Sequence, residues 1–471
     1  MNTDTQHRAG AAGFAAFRLA CVVFLVLAAV GAIATADLPH AIPADAAVGS
    51  FPLAPQHKAF LVELTARLFR YFNEHSNAET QMVDDRARAD GSPYEPPIPA
   101  SITATGFGLT AFSIAPDYGW LSHDEARERV RKSLRFLANR APHVRGWFYH
   151  FVDPQTGARR FSSEVSSIDT ALLLCGVLEA RERFSEDSEI RHLANKIYER
   201  VDFQWMLNGD PYLLSHGWMP ESGFIKYRWD TYSEHMVLYL LAIGSQRRPI
   251  TAKSWYSWKR PTVTYAGYSY ISGGPLFTHQ YSQAWVDYRG RKEKEFPYTD
   301  YFGNSIAATR AHRAFCLNLS AEFPGYSSNV WGITASDSIR GYVAWGGPPR
   351  HPDIDGTVVP SAAGGSLMFA PDICLPALMA MHDRFGEKIY GRYGFVDAFN
   401  PNTGWVNPDV IGIDAGITLL SAANLIDGSV WRWFMRNPEI LRALQMVGME
   451  KTAGSQQSSV GSEDCRLTTA D

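Results

Sequence analysis

The sequence predicts an all-α protein, with two layers of helices arranged as a barrel and long aromatic-rich loops at one face. Three observations carry this. From Gln56 onward apolar residues recur at helical spacing in segment after segment, while alternating strand patterns are few and short, as in Trp147–Val152 and Arg159–Val165. Three connections, Asn208–Ser233, Gly244–Leu276 and Pro324–Ala370, exceed the roughly 15 residues beyond which a loop in a compact domain is usually functional. Many of the 13 Trp, 21 Tyr and 26 Phe stand beside Gly, Pro, Asp or Asn instead of inside periodic apolar runs.

Taken in order, Arg8 and Arg18 flank an unbroken apolar stretch, Leu19–Ala34, followed by Thr35, Ala36 and Asp37. Positive flank, short hydrophobic stretch and small residues read as a signal peptide over 1–36, which implies export to the periplasm or the extracellular space. An uncleaved anchor is the alternative, since the stretch is just short of a comfortable bilayer span; cleavage leaves no stable membrane span. Residues 37–55, with Pro39, Pro43, Pro52 and Pro55, read as a Pro/Ala-rich linker. A single domain over 56–450 follows. It opens with Phe60, Leu61, Leu64, Leu68, Tyr71 and Phe72 on one helical face, then a capping box of Ser122 and Glu125 before Ala126, Val130, Leu134 and Leu137. Further helices are expected at about 102–115, 167–183, 189–206, 233–246, 277–289, 301–320, 371–386, 413–427 and 438–447, with first-turn prolines at Pro371 and Pro438. No 33–47-residue repeat marks a solenoid. Cys175, Cys316 and Cys374 sit in apolar patterns as small core residues, and no Cys-x-x-Cys pair exists. The segment 451–471, with its Gly-Ser-Gln-Gln-Ser-Ser run, reads as a disordered tail.

Composition and motifs exclude several function classes. With 44 basic against 48 acidic side chains, net charge −4, no cationic surplus is available for nucleic acid. There is no His-Glu-x-x-His, Gly-x-Ser-x-Gly or Walker-type motif. Gly106-Phe107-Gly108 lacks a third glycine and follows no strand. Asp353-Ile354-Asp355-Gly356 lacks the spaced oxygens of a calcium loop and reads as a turn. Neither a metal nor a cofactor is expected.

What remains is a set of carboxylates among aromatics. Asp169 lies three residues after Ser166, Glu234 follows a possible Ser233 cap, and Asp414 opens an apolar helix. Each could merely cap its helix or favour its dipole. Together they place three acids at helix starts immediately after loops rich in Trp and Tyr, where they can line a common cleft. Glu221, inside its long loop, has no capping role. Aromatic platforms beside acids, without a cationic pocket, suit a neutral oligo- or polysaccharide. Paired carboxylates are what glycoside cleavage needs, one protonating the leaving oxygen and the other activating water or attacking carbon. A helix N-terminus favours an ionised base, whereas the acid needs a raised pKa. The surroundings of Glu234, Trp229 and Tyr232, favour it as the proton donor.

At these same residues the chain resembles a known family. Ser166-Ser167-Ile168-Asp169-Thr170-Ala171-Leu172-Leu173, Tyr232-Ser233-Glu234, Phe277-Thr278-His279-Gln280-Tyr281-Ser282 and Trp331-Gly332-Ile333-Thr334-Ala335 look like the bacterial glucoamylase-like family. So do Asp355-Gly356-Thr357-Val358-Val359-Pro360, Tyr393-Gly394-Phe395-Val396-Asp397-Ala398-Phe399-Asn400 and Gly412-Ile413-Asp414. The family includes the endo-β-1,2-glucanases of glycoside hydrolase family 144, and a related domain occurs in cyclic β-1,2-glucan synthases. The match runs from about Phe60 to Gly448. It implies a single (α/α)6 toroid, cleavage of β-1,2-glucans with inversion, and Glu234 and Asp414 as the leading catalytic pair. Two departures stand out. Only Ser336 to Gly356 separates the Trp-Gly-Ile-Thr block from the Asp-Gly-Thr block, where the family often carries a longer insertion, and His235 occupies a position where a small residue is common.

The expected activity is therefore that of an exported, cofactor-free glycoside hydrolase on β-1,2-glucan or sophoro-oligosaccharides, with Glu234 as acid and Asp414 as base. Glu164, Asp169, Glu221, Asp355 and Asp397 are the reserve acids. Trp147, His150, Trp218, Trp229, His279, Gln280, Tyr281, Trp331 and Trp405 are the expected sugar contacts. An exo-acting or transglycosylating enzyme of the same fold, a polysaccharide lyase, and a non-catalytic sugar binder are the alternatives. The lyase would need cations for a uronate, and Arg228 and Arg340 are the few loop arginines near the motifs.

Overall fold

The computed structural model describes residues 51–449 and Lys451. The expected signal peptide, most of the linker, and the tail beyond Lys451 lie outside the described residues. Helices dominate. In chain order they are α1 (Pro55–Glu74), α2 (Ile102–Ile114), α3 (His123–Asn139), α4 (Ser167–Arg183), α5 (Ser188–Glu199), α6 (Phe203–Met206) and α7 (Met236–Gly244). They continue with α8 (Tyr281–Trp285), α9 (Tyr301–Asn318), α10 (Pro360–Gly364), α11 (Pro371–Phe385), α12 (Gly412–Ile426), α13 (Ser429–Phe434) and α14 (Pro438–Met446).

Burial sorts these helices into two layers. Helices α2, α7, α8 and α10 are buried at every position, and α4 and α12 at most of theirs. A helix apolar all round must lie inside. By contrast α1, α3, α5 and α14 bury one stripe and leave the other face polar. The inner helices touch one another in succession: α2 packs on α4 and α12, α4 on α7, and α12 on α8 and α10. Outside them, α1 lies on α12, α3 on α2, α5 on α4, α14 on α7 and α11 on α10. The tightest contact joins α2 to α4. A Cβ on Gly176 would stand 2.2 Å from the Gly106 carbonyl oxygen, and one on Gly106 would stand 2.5 Å from that of Leu172. These two helices meet backbone to backbone.

Most expected helices are present with small shifts. The Ser122–Glu125 capping box forms in full, Pro371 and Pro438 occupy first turns, and Cys175, Cys316 and Cys374 are buried free thiols. Three expectations need correction. The helix expected at 189–206 is broken into α5 and α6, because Asp202 turns its carboxylate onto the Trp205 N–H (3.0 Å) and restarts the helix. The helix expected from 233 begins at Met236, and Ser233 does not cap it. The one expected at 277–289 is a 3-10 turn, Leu276–His279, followed by α8, which stops at Trp285.

The long connections are less bare than the sequence suggests. They carry short antiparallel pieces: Gly217–Met219 between Val165–Ser166 and Gly223–Phe224, Thr262–Tyr265 with Tyr268–Ile271, and Ala335–Ser336 with Val343–Ala344. Near the chain's two ends, Arg86–Arg88 pairs with Asp409–Ile411. Strands of two to four residues show no period that a sequence could reveal.

Candidate active site

Asp414 is the third residue of α12, in its first turn, with its side chain almost enclosed. Ser361, in the first turn of α10, donates its hydroxyl to Asp414 Oδ1 at 3.0 Å. Asp397 lies within hydrogen-bonding reach behind it. The Asp397 Oδ2 atom accepts the Asp337 N–H at 2.9 Å and the Asn407 Nδ2–H at 2.8 Å. Its Oδ1 atom is buried and receives no donor from the protein. Beyond this pair Arg86 gathers three more acids, with Nη1 2.7 Å from Asp337 and 3.5 Å from Asp409, and Nε 3.3 Å from Asp85.

Electrostatics follows from that crowding. Burial raises the Asp414 pKa to about 6; the bonds from Asp397 and Ser361 pull it down, while Asp337 and Asp85 push it up. Burial together with the adjacent Asp414 charge holds Asp397 well above the usual carboxylate range.

Glu234 approaches from the other side. It lies in the turn just before α7, and Ser233 donates its hydroxyl to Glu234 Oε2. The Ser282 hydroxyl, in α8, donates to the Glu234 carbonyl oxygen at 2.5 Å and so ties this turn to its neighbour. Burial raises the Glu234 pKa, and the nearby negative charge of Asp169 adds to the rise. Because Glu234 precedes the helix instead of sitting in its first turn, it escapes much of the dipole that would favour ionisation. That placement suits a proton donor.

Asp169, in the first turn of α4, accepts from the Ser166 hydroxyl at 2.5 Å and from Thr103 Oγ1 at 2.6 Å, while its own N–H bonds the Ser166 cap at 3.2 Å. His150 stands between two carboxylates, with Nδ1 3.1 Å from Glu164 and Nε2 3.5 Å from Asp169. Burial disfavours the imidazolium, but the Asp169 and Glu164 charges outweigh it and raise the His150 pKa to about 9. The same contact, against burial, lowers the Glu164 pKa. These three residues offer ligand-type atoms within 4.8 Å of one another, yet each ring nitrogen already faces a carboxylate, so the geometry is that of a clamped cation.

Two phenols mark where the sides meet. Tyr281, the first residue of α8, has its pKa raised by burial and then by Asp414, Tyr342, Glu234 and Asp169. Tyr342, on the Ala335–Ser336 and Val343–Ala344 hairpin, is raised by burial of its hydroxyl and by Asp414, Asp397, Asp337 and Glu234. Its side chain nevertheless leaves the residue 47% exposed, so the ring is open to a ligand while its hydroxyl faces the acids.

The remaining candidates divide. Glu221 is exposed and paired with Arg159, away from this cluster. Asp355 folds back on the Thr357 N–H (3.0 Å) and hydroxyl (2.6 Å), the turn that its Asp-Gly-Thr sequence suggests. Trp147 and Trp331 are wholly buried, the former donating to the Asp202 carbonyl oxygen at 3.0 Å, and neither presents a face to solvent. His279 and Gln280 are also enclosed. Burial pushes the His279 pKa down to about 3, and its Nδ1 meets the Tyr232 hydroxyl at 2.9 Å; the Gln280 amide donates to Ala362 and Ser366. Trp229 is buried under His216, stacked at 3.9 Å between ring centroids. Trp218 and Trp405 keep part of their surface exposed. Five contributors escaped the sequence: Arg86, Ser361, Tyr342, Asn407 and Thr103. Asp337 lay within a quoted segment but drew no role. The two arginines that a uronate-cleaving lyase would need are occupied. Arg228 donates to the carbonyl oxygens of Leu207, Leu213 and Asn208, and Arg340 to that of Asp353 beside the Asp355 carboxylate.

With this geometry in hand, likeness to known proteins becomes informative. Residues 226–438, which include Glu234, Tyr281, Tyr342, Asp397 and Asp414, match the family model described as "Putative glucoamylase". Over those residues the chain resembles that family. An exo-β-1,2-glucooligosaccharide sophorohydrolase of Parabacteroides distasonis is 28% identical over 383 residues, 73% of this chain and 52% of that protein. The chain thus spans about half the length of the curated relative it matches. Among solved structures, the endo-β-1,2-glucanase of Chitinophaga pinensis, in complex with sophorotriose and glucose, superposes with a TM-score of 0.78 at 25% identity. That alignment covers 84% of this chain and 99% of the glucanase chain. A β-1,2-glucanase of Parabacteroides distasonis aligns with a TM-score of 0.76 at 25% identity, over 84% of this chain and 60% of its own. These relatives are named as glycoside hydrolases of β-1,2-linked glucose chains.

Proposed function

We propose that this chain is a glycoside hydrolase that cleaves β-1,2-glucan or sophoro-oligosaccharides by inversion, Glu234 protonating the leaving oxygen and Asp414 activating water. One observation carries the reading: Glu234 and Asp414, far apart in sequence, both lie near enough to Tyr281 and Tyr342 for their charges to raise the pKa of the same two phenols. Burial favours the protonated form of Glu234, while the Ser361 hydroxyl and the start of α12 favour the ionised Asp414. The substrate class is supported by the named activities of the relatives. The succession of inner helices, each backed by an amphipathic partner, supports an (α/α)6 toroid. Export rests on the N-terminal sequence.

The test is a panel of linkage-defined glucans, with products separated by chromatography and the anomer of the first product read by NMR. Sophoro-oligosaccharides released from β-1,2-glucan, as the α-anomer, are expected. Glu234→Gln and Asp414→Asn should each lower kcat by about 10²–10⁴-fold with the thermal midpoint preserved. Wild-type turnover in both variants would remove this pair, and binding without any product would mark a sugar-binding protein.

A further inference from the structure

Asp397 sits where the proposed chemistry does not call for it, and its two oxygens are treated differently. Oδ2 accepts two N–H donors, from Asp337 at 2.9 Å and Asn407 at 2.8 Å. Oδ1 is enclosed and meets no donor among the described residues, which is costly for an ionised carboxylate. Asp414 lies within side-chain hydrogen-bonding reach of Asp397 and lines the same small cavity, and two buried carboxyls that close share one proton. Placed on Asp414, that proton would leave Asp397 as a buried anion facing the Asp337 carboxylate across their shared Asn407. Placed on Asp397 Oδ1, it gives every buried atom of the pair a partner. Asp414, with the Ser361 hydroxyl and the α12 N-terminus to support it, then keeps the charge.

We propose that Asp397 is a neutral carboxylic acid whose Oδ1–H donates to Asp414 and fixes that carboxylate for action on the cleft side, making Asp397 a positioning residue for the base. It cannot meet a sugar itself. The space beside the pair is a cavity of about 10 Å³ walled by Leu68, Phe395, Val410 and Thr418, room for one water at most. The proton it carries stays in place through the reaction, so no bond is made or broken at Asp397. This inference rests on reading Asp414 as the base.

The experiment compares Asp397→Asn with Asp397→Ala. An asparagine can turn its oxygen to the Asp337 and Asn407 donors and its amide N–H to Asp414, which mimics the neutral acid. With β-1,2-glucan as substrate, the asparagine variant should stay within about tenfold of wild-type kcat, and the alanine variant should fall by about 10²-fold. The acid limb of kcat should hold its position in the asparagine variant. In the alanine variant it should move to higher pH, because the bond from Asp397 lowers the Asp414 pKa against burial, Asp337 and Asp85. Arg86, Asp409, Glu234, Tyr281 and Tyr342, the other charged and titratable groups around the pair, are the same in both variants. An infrared difference spectrum, wild type minus Asp397→Asn at pH 7, should show one protonated-carboxyl band. Loss of activity in Asp397→Asn as deep as in Asp414→Asn would overturn the proposal, as would an unchanged kcat in Asp397→Ala or the absence of the band. Should the alanine variant not fold, the asparagine variant and the infrared band decide. Should wild type leave β-1,2-glucan intact, the assigned reaction fails, and the infrared band still decides the protonation of Asp397.

Discussion

The Ser361 hydroxyl donates to Asp414 Oδ1 at 3.0 Å and joins the first turns of α10 and α12. The bond favours the ionised carboxylate, which burial opposes. With Asp414 in its proposed role as base, activity is expected above its raised pKa and is lost as pH falls through it. In Ser361→Ala the acid limb of kcat/KM should therefore move to higher pH, with the basic limb unmoved. A pH–rate series on both proteins checks this.

His150 links charge to folding stability. Its folded pKa, about 9, lies above the ordinary value near 6.5, so the folded state holds a proton that the unfolded chain releases. The resulting stabilisation is complete below about pH 6.5 and disappears as pH rises through about 9. His150→Asn should be less stable than wild type at pH 6, and the gap in thermal midpoint should narrow by pH 10. A constant gap would mean that His150 is neutral between its two acids.

Tyr342 offers an exposed ring above the acids. Tyr342→Ala should raise KM by about tenfold, which corresponds to ~1.4 kcal/mol of binding, and leave the thermal midpoint unchanged. Steady-state kinetics on sophoro-oligosaccharides of increasing length would show whether the loss grows once the chain is long enough to reach the ring.

Glu179 is wholly enclosed within α4, beside Thr110 and Trp285, and burial holds its pKa well above the ordinary value. The folded state keeps this proton while the unfolded chain loses it, so stability declines as pH rises above about 4.3. Glu179→Gln should remove that decline. Urea midpoints at pH 5 and pH 8 should separate further in wild type than in the variant.

The sequence exposes those parts of the site that sit on regular helices. Asp169 three residues after Ser166, and Asp414 at the head of an apolar helix, are legible because first-turn acids stand at a recognisable helix start. Glu234 follows its aromatics in the sequence, but Ser233 serves its carboxylate instead of the helix end. The network behind Asp414 is another matter. Arg86, Asp337, Asn407 and Asp409 come from two- and three-residue strands and their turns, far apart in the chain, and nothing local brings them together. Trp147 and Trp331 show the opposite error. An indole beside glycine looks like a platform, and here both rings fill the core.

Gly106, whose Gly106-Phe107-Gly108 run lacks a third glycine, has Gly176 as its neighbour. Their contact draws α2 and α4 close, and at the open ends of those helices Thr103 reaches Asp169 at 2.6 Å. A single methyl at either glycine would wedge the pair apart and carry Asp169, His150 and Glu164 outward with it. The spacing of the two helix starts is thus set by two residues with no side chain at all, about one turn below Thr103 and about two below Asp169.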